Sequence, residues 1–204
     1  AQSVTHMATA SSAPRVVVFA GPNGAGKSTH ADAILASLSI ETFVNADFIA
    51  RGLSGRNTEA VAFEAGRIML GRLRQLASAG ENFAFESTLS SRTFAPFLKS
   101  LRTQGYRVAI YYFSLPNAQL AVRRVKLRVA LGGHDVPADV VRRRFGRSLA
   151  NFFELYAPIA STWAVFDNSR PPQASLVATQ EEAGPLTVKE PQTWLKLQKI
   201  ASRH

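Results

Sequence analysis

Residues 20–29 read AGPNGAGKST and match the pattern G-x-x-x-x-G-K-[ST], with Gly21, Gly26, Lys27 and Ser28 at the fixed positions. Glycines allow the backbone to turn so that successive N–H groups point into one concavity, and the start of the following helix favours an anion. The stretch therefore predicts a loop that cradles phosphate groups.

The contacts expected of this phosphate loop follow from its chemistry. Lys27 is expected to reach the β- and γ-phosphates of ATP, and the Ser28 hydroxyl is expected to be a ligand of Mg²⁺. The whole set of loop residues expected to bind the nucleotide is Gly21, Asn23, Gly24, Ala25, Gly26, Lys27, Ser28 and Thr29.

The flanking sequence supports this interpretation. An apolar run, VVVFA at residues 16–20, leads into the loop and is typical of a buried parallel strand. After the loop, apolar residues recur at helical spacing at Ala31, Ile34, Leu35 and Leu38. Strand, glycine loop and helix thus follow each other in the order that the motif requires.

The rest of the chain repeats this alternation. Helical patterns alternate with four more short apolar runs, at residues 41–44, 83–85, 107–113 and 163–166. Such alternation indicates βαβ units. We therefore predict an α/β P-loop kinase fold, with a mostly parallel five-stranded sheet flanked by helices.

The chain is expected to divide into three parts. Residues 1–13 are small and polar and are expected to be a disordered or cloning-derived tail. Residues 14–169 are expected to form the kinase domain, with a helical lid around 123–147 in which His134 shapes the lid rather than binding a metal. Residues 170–204 predict a small hairpin and a final helix appended to the same domain.

The composition excludes several kinds of chemistry. The chain has 204 residues, of which 46% are hydrophobic and none is cysteine. Disulfides, thiolate metal sites and cysteine nucleophiles are therefore excluded. No apolar run approaches the length that spans a bilayer, and the first residues lack the apolar core of a secretory signal. We expect a cytoplasmic protein with no membrane partner.

The net charge of +10 invites a nucleic-acid interpretation. The basic residues concentrate between residues 123 and 147, away from most aromatic residues. A lid that handles phosphate groups explains this clustering at least as well as a groove for a nucleic-acid backbone. We therefore do not expect a nucleic-acid partner, although an ATP-dependent nucleic-acid-binding module stays open as an alternative to an enzyme.

Polar residues follow the second expected strand as Asn45-Ala46-Asp47. In open α/β sheets, ligands bind outside the carboxyl ends of the strands. Asp47 is a candidate base that orients an acceptor hydroxyl and takes its proton. It is equally a candidate N-cap of a helix beginning at Phe48. Position alone does not decide between these roles.

Glu86 ends the third expected strand, followed by Ser87 and Thr88. Its carboxylate either holds substrate hydroxyls, or binds a metal ion through water, or lies at an exposed strand end. Three roles stay open at this point.

The lid contains two arginines that share one helix face, because Arg124 and Arg128 are four residues apart. Placed over a γ-phosphate, they would neutralise the charge that builds up in the transition state. Among Arg142, Arg143 and Arg144 the periodicity does not select one.

Together these residues resemble the zeta-toxin family of P-loop kinases, in particular its compact bacterial branch. The resemblance covers about residues 15–169. It rests on the phosphate loop, Asn45-Ala46-Asp47, Glu86-Ser87-Thr88, Arg124, the run RVALGGHDVP at 128–137, Arg144-Phe145 and Asp167-Asn168-Ser169.

The resemblance implies ATP-dependent phosphorylation of a hydroxyl of UDP-N-acetylglucosamine or a related UDP-sugar, by the toxin of a toxin-antitoxin type of system. A separate antitoxin protein is then a candidate partner. A kinase for another acceptor, such as an antibiotic, a nucleoside or a polynucleotide end, stays open.

The resemblance also implies roles for individual residues. Asp47 becomes the base, with Lys27, Arg124 and Arg128 as the other catalytic residues. The acceptor is contacted by Asn45, Asp47, Glu86 and Thr88. Arg144 is singled out as a further ligand of the nucleotide phosphates.

Overall fold

The computed structural model describes residues 13–53, 58–133 and 135–204. Its strands are β1 (Arg15–Ala20), β2 (Thr42–Val44), β3 (Phe83–Ser87), β4 (Arg107–Ser114), β5 (Thr162–Asp167), β6 (Ser175–Gln180) and β7 (Thr187–Val188). Its helices are α1 (Lys27–Leu38), α2 (Ala46–Gly52), α3 (Thr58–Ser78), α4 (Phe94–Thr103), α5 (Ala118–Ala130), α6 (Ala138–Asn151), a π-helical turn (Phe152–Tyr156) and α7 (Pro191–Ala201). The predictions for residues 1–12 and for His134 lie outside the described residues.

The strands form one seven-stranded sheet in the order β2-β3-β1-β4-β5-β6-β7. The first five in this order are parallel, whereas β6 and β7 run antiparallel to their neighbours. The predicted α/β P-loop kinase fold is confirmed. The predicted number of five strands is wrong, because the C-terminal hairpin pairs with the free edge of β5 and extends the sheet.

The core is built around β1, the middle strand of the parallel part. Residues 16–20 are fully buried, which explains why this strand is apolar at every position rather than at alternate ones. Helices cover both faces of such a sheet and bury it from two sides. Within the described residues, no helix combines the length and the apolar character needed to cross a membrane.

The parallel strands end together at one edge of the sheet. The phosphate loop leaves β1 there, Asn45 follows β2, Glu86 lies near the end of β3, and Asn168 follows β5. Strand order thus brings together four chain segments that are far apart in sequence. This edge is where ligands bind in open α/β sheets.

Helix α6 continues into the π-helical turn with one buried face. Val141, Phe145, Leu149, Phe152 and Tyr156 are buried and are spaced three or four residues apart, as on one face of a helix. The π turn itself is not apparent from the spacing. Within this turn Phe152 is fully buried in the core, and the ring of Phe153 packs edge-to-face on Trp194 of α7.

Candidate active site

The phosphate loop joins β1 to α1, and its shape depends on glycine. Gly21, Gly24 and Gly26 all have positive φ angles, of 132°, 75° and 83°. A side chain at Gly21 would in addition run into the backbone carbonyl of Phe113 on β4. The turn therefore requires glycine both for its dihedral angles and for its close approach to the neighbouring strand.

Asn168 fastens this loop to the end of β5. Its side chain is buried, and its Nδ2 donates to the carbonyl of Ala25 at 2.8 Å. A side chain at Gly26 would collide with the same amide. The Oδ1 of Asn168 is buried and has no hydrogen-bond partner among the described residues. Asn168 is not among the predicted site residues, although its place directly after a strand of the sheet is a signal that marks it.

Lys27, Ser28 and Glu86 form a compact polar cluster at the start of α1. The Lys27 Nζ donates to the carbonyl of Pro22 at 3.1 Å and lies 3.4 Å from the Glu86 Oε1. The Ser28 hydroxyl donates to the Glu86 Oε2 at 2.6 Å. The Glu86 side chain is 13% exposed, so Glu86 is not an exposed strand end.

Helix α2 carries Asp47 in its first turn. The helix begins at Ala46 rather than Phe48, and its cap is Asn45, whose Oδ1 accepts from the Asp47 N–H at 2.8 Å. The other end of the Asn45 amide donates to the Glu86 Oε2 at 3.1 Å. The alternative of Asp47 as the helix cap is therefore wrong, because Asn45 occupies that position.

The side-chain amide of Asn45 is hydrogen-bonded within the protein at both of its ends. Both ends of its side chain make hydrogen bonds, one to the backbone of α2 and one to Glu86. The Asp47 carboxylate therefore takes no part in capping the helix. It lies 4.0 Å from the Arg128 Nη1 and is 41% exposed, which suits a group that meets a ligand.

The two α5 arginines of the predicted lid contact different groups. Arg128 faces Asp47, whereas the Arg124 Nη2 donates to the carbonyl of Ser169 at 3.1 Å. Burial lowers the pKa of Arg124, and the nearby Asp167 carboxylate acts in the opposite direction. Arg124 therefore lies on the side of the loop after β5, and Arg128 on the side of α2.

Arg144 reaches the same region from α6. Burial, and then the neighbouring cation of Arg143, lower the pKa of Arg144, whereas Asp47 raises it. A partly desolvated guanidinium among other cations is a site where an anionic ligand gains most, because the ligand relieves the repulsion.

A polar cleft of about 250 Å³ lies at this edge of the sheet. It brings together eight of the predicted site residues, which are Asn23, Lys27, Asn45, Asp47, Glu86, Thr88, Arg128 and Arg144. Arg124 and the remaining loop residues are outside this lining, although Ser28 reaches it through its bond to Glu86. The cleft thus joins the phosphate loop to the base candidate.

A second, more apolar cavity of about 630 Å³ adjoins the polar cleft. The two cavities share Arg144, Phe94 and Ser91 in their linings. We call it the annex; its lining includes Phe63, Leu70, Phe94, Val140, Arg67, Arg143 and Arg144. The annex offers apolar surface with three arginines in its lining, and it adjoins the cleft that contains Asp47 and Glu86.

The donor set at Ser28 fits a magnesium ion. A hydroxyl and a carboxylate oxygen lie 2.6 Å apart there, and both are the hard oxygen donors that Mg²⁺ takes together with waters and phosphate oxygens. Nowhere in the described part of the chain is a group of three or more histidine, aspartate or glutamate side chains placed to hold a metal ion.

Comparison with solved structures gives the same fold. The crystal structure of AvrRxo1-ORF1:-ORF2 with ATP superposes with a TM-score of 0.73 at 17% identity and covers 94% of this chain and 64% of that one. This chain therefore spans less than two thirds of that protein. The PezAT toxin-antitoxin system of Streptococcus pneumoniae gives a TM-score of 0.58 at 16% identity, with 98% and 90% covered. At such identities the likeness concerns the fold.

Sequence comparison also finds relatives. An uncharacterized protein of Haemophilus influenzae is 28% identical over 134 residues, which are 64% of this chain and 92% of that protein. A family model described as an AAA domain matches residues 16–155. Since this match covers more than half of the 204 residues, the chain belongs to the AAA domain family, and the matched range includes the phosphate loop.

Proposed function

We propose that the protein is an ATP-dependent kinase that transfers a phosphoryl group to a hydroxyl of a small-molecule acceptor. The observation that carries the proposal is the polar cleft, in which Lys27 of the phosphate loop and the carboxylate of Asp47 line the same cavity. A donor cradle and a candidate base at one cavity are the two parts that phosphoryl transfer requires.

In the proposed reaction, Lys27 and Ser28 bind the phosphates of ATP and their metal ion. Lys27 is 6% exposed, so its charge is poorly screened by water and acts strongly on bound phosphate. When bound, Mg²⁺ would supply positive charge that neutralises phosphate oxygens. The Ser28 hydroxyl would hold it directly, and the Glu86 carboxylate would hold it through water.

In the proposed reaction, Asp47 acts on the hydroxyl of the acceptor. Asn45 fixes the start of α2 and thereby the position of the Asp47 carboxylate. In the proposed reaction this carboxylate accepts a hydrogen bond from the acceptor hydroxyl and takes its proton as the phosphoryl group transfers. Arg128 and Arg144 lie beside it and stabilise the charge that develops on the transferred group.

For the acceptor we propose UDP-N-acetylglucosamine or a related UDP-sugar. This choice comes from the resemblance to the zeta-toxin family. The annex supports it, because its volume of about 630 Å³, its apolar walls and its excess of three arginines over one aspartate, Asp135, suit a ring system attached to a negatively charged group.

We further propose that the protein acts as a toxin in the cytoplasm and is held in check by a separate antitoxin protein. The motif resemblance supports this role, and the fold shared with the PezAT toxin-antitoxin structure is consistent with it. Induced expression in a bacterium tests it: the wild type should arrest growth and Lys27→Ala should not. Equal growth of both strains would contradict a toxic kinase.

The kinase activity is tested by incubating the protein with ATP, Mg²⁺ and a panel of UDP-sugars, nucleosides, antibiotics and oligonucleotides. A product heavier by one phosphate identifies the acceptor. Lys27→Ala should give no product, whereas the matched change Lys196→Ala on the exposed face of α7 should give the wild-type amount. Tight, salt-sensitive DNA binding without any phosphorylated product would instead support the nucleic-acid-binding alternative.

A further inference from the structure

The segment between β3 and α4 forms one wall of the polar cleft. We call residues 88–91 the acceptor loop, because Thr88, Ser90 and Ser91 line the cleft. Leu89 lies at its centre, is fully buried and has a φ of 54°. A leucine in this left-handed region is strained, and such strain persists only where the surrounding structure holds the backbone in place.

Three side chains of one helical segment hold this loop by its backbone carbonyls. The Ser148 hydroxyl donates to the Thr88 carbonyl at 2.5 Å. The Asn151 Nδ2 donates to the Leu89 carbonyl at 2.8 Å. The Tyr156 hydroxyl donates to the Ser91 carbonyl at 2.5 Å. We call Ser148, Asn151 and Tyr156 the clamp.

The π-helical turn is what allows Tyr156 to join the clamp. In a regular α-helix, the residue above Asn151 on the same face would be Leu155. Here the Ala157 N–H donates to the Phe152 carbonyl, five residues back, at 2.8 Å. This wider turn advances the helix face by one residue and brings Tyr156 over the acceptor loop. Such insertions are frequent at functional sites.

The clamp is supported by a further buried hydroxyl. The Tyr112 hydroxyl lies 2.8 Å from the Ser148 Oγ, and both residues are fully buried. A carbonyl oxygen can only accept a hydrogen bond, so the Ser148 hydroxyl donates to the Thr88 carbonyl. The Tyr112 hydroxyl must therefore donate to the Ser148 Oγ. The direction of both hydrogen bonds is thus fixed, which makes the arrangement rigid.

The same helix also carries Arg144, one turn before Ser148 and therefore on the same face. Arg144 lines the cleft that the acceptor loop borders. We propose that Ser148, Asn151 and Tyr156 are positioning residues for the acceptor, an inference that rests on the proposed kinase function. They hold the hydroxyls of Thr88 and Ser90 at a set place relative to Arg144 and Asp47.

The test compares two tyrosine variants that make the same chemical change. Tyr156→Phe removes the clamp hydroxyl and keeps the ring. Tyr106→Phe is the matched control, because the Tyr106 hydroxyl also donates to backbone carbonyls, those of Ala77 and Glu81, at the opposite edge of the sheet. Asn151→Asp is a second clamp variant that replaces the donor with an acceptor of the same shape.

Three quantities are measured on each variant: the KM for UDP-N-acetylglucosamine as the acceptor probe, the Kd for ATP, and amide hydrogen exchange in residues 87–93. The clamp variants should raise the acceptor KM about tenfold, which is the size of one lost hydrogen bond, and leave the Kd for ATP unchanged. Exchange in the acceptor loop should become about tenfold faster. Tyr106→Phe should change neither the acceptor KM nor the exchange in the acceptor loop.

Clamp variants with the same acceptor KM and loop exchange as Tyr106→Phe would overturn the inference. Equal losses in ATP affinity and acceptor KM would also overturn it, because they would mean general damage to the site. A wild type that phosphorylates no acceptor of the panel would contradict the proposed function itself. The exchange measurement alone would then decide whether the clamp holds the loop.

Discussion

The hydroxyl of Ser28 and the carboxylate of Glu86 are joined by a hydrogen bond of 2.6 Å between the start of α1 and the end of β3. The bond links residues 58 positions apart in the chain. It places a negative charge directly beside the expected magnesium ligand, and the same carboxylate lies 3.4 Å from the Lys27 ammonium. Glu86 is therefore at the donor end of the cleft.

Glu86→Gln should raise the Mg²⁺ concentration needed for half-maximal activity by about tenfold, because the amide keeps the shape of the side chain but loses the charge that holds a hydrated cation. A titration of activity against Mg²⁺ at saturating ATP measures this. The exposed Glu64→Gln on α3 is the control. An unchanged Mg²⁺ requirement together with a raised acceptor KM would assign Glu86 to the acceptor hydroxyls instead.

Asp47→Asn should lower turnover by about a hundredfold or more, because it removes the carboxylate that accepts the hydroxyl proton. Stability should fall by less than about 1 kcal/mol, since Asn45 caps α2 and the change removes only the interaction of Asp47 with the helix dipole and its partly exposed ion pair with Arg128. ATP affinity should hold or rise slightly.

Turnover, nucleotide titration and thermal unfolding on one preparation check this prediction. Asp139→Asn is a matched control, because Asp139 also lies in the first turn of a helix, α6. Normal turnover of Asp47→Asn would leave the base unassigned, with Glu86 as the next candidate.

Arg128→Ala and Arg124→Ala should differ, although the two residues are one turn apart on α5. Arg128 lies beside Asp47, so its loss should lower kcat by about a hundredfold with little change in the Kd for ATP. Arg124 is bonded to Ser169 next to the Asn168 amide, so its loss should weaken ATP binding more than it lowers kcat. Steady-state kinetics combined with ATP titration separate the two, and identical profiles would contradict the separate placements.

The free energy of unfolding should fall at alkaline pH because Tyr156 is buried. Burial raises the pKa of Tyr156 from 10.0 to about 12, and the backbone amides of Phe94 and Ala95 only partly oppose it. The unfolded chain therefore loses this proton first, and the stabilising contribution is complete below pH 10 and lost as the pH rises towards about 12.

Urea unfolding of the wild type and Tyr156→Phe at several pH values between 9 and 12 tests this linkage. The stability difference between the two proteins should shrink as the pH rises, because the variant has no phenol to ionise. A constant difference across this range would mean that Tyr156 titrates alike in the folded and unfolded states.

The sequence by itself determined the parts of this protein that depend on local chemistry. The glycines of residues 21–26 specify a turn with positive φ angles, and the apolar run before it specifies a buried strand. Alternating strand and helix patterns specify a parallel α/β sheet. These features follow from the spacing of neighbouring residues, which is why the fold could be predicted.

Only the tertiary structure decided which distant residues meet. It joined Glu86 to both Ser28 and Asn45, and it turned Arg124 towards Ser169 and away from Arg128. It also added the hairpin to the sheet and set Asn168 under the phosphate loop. Such contacts depend on strand order and on the packing of helices against the sheet. The spacing of residues along one strand or helix carries no information about them, because each contact joins segments that pairing and burial bring together from far apart in the chain.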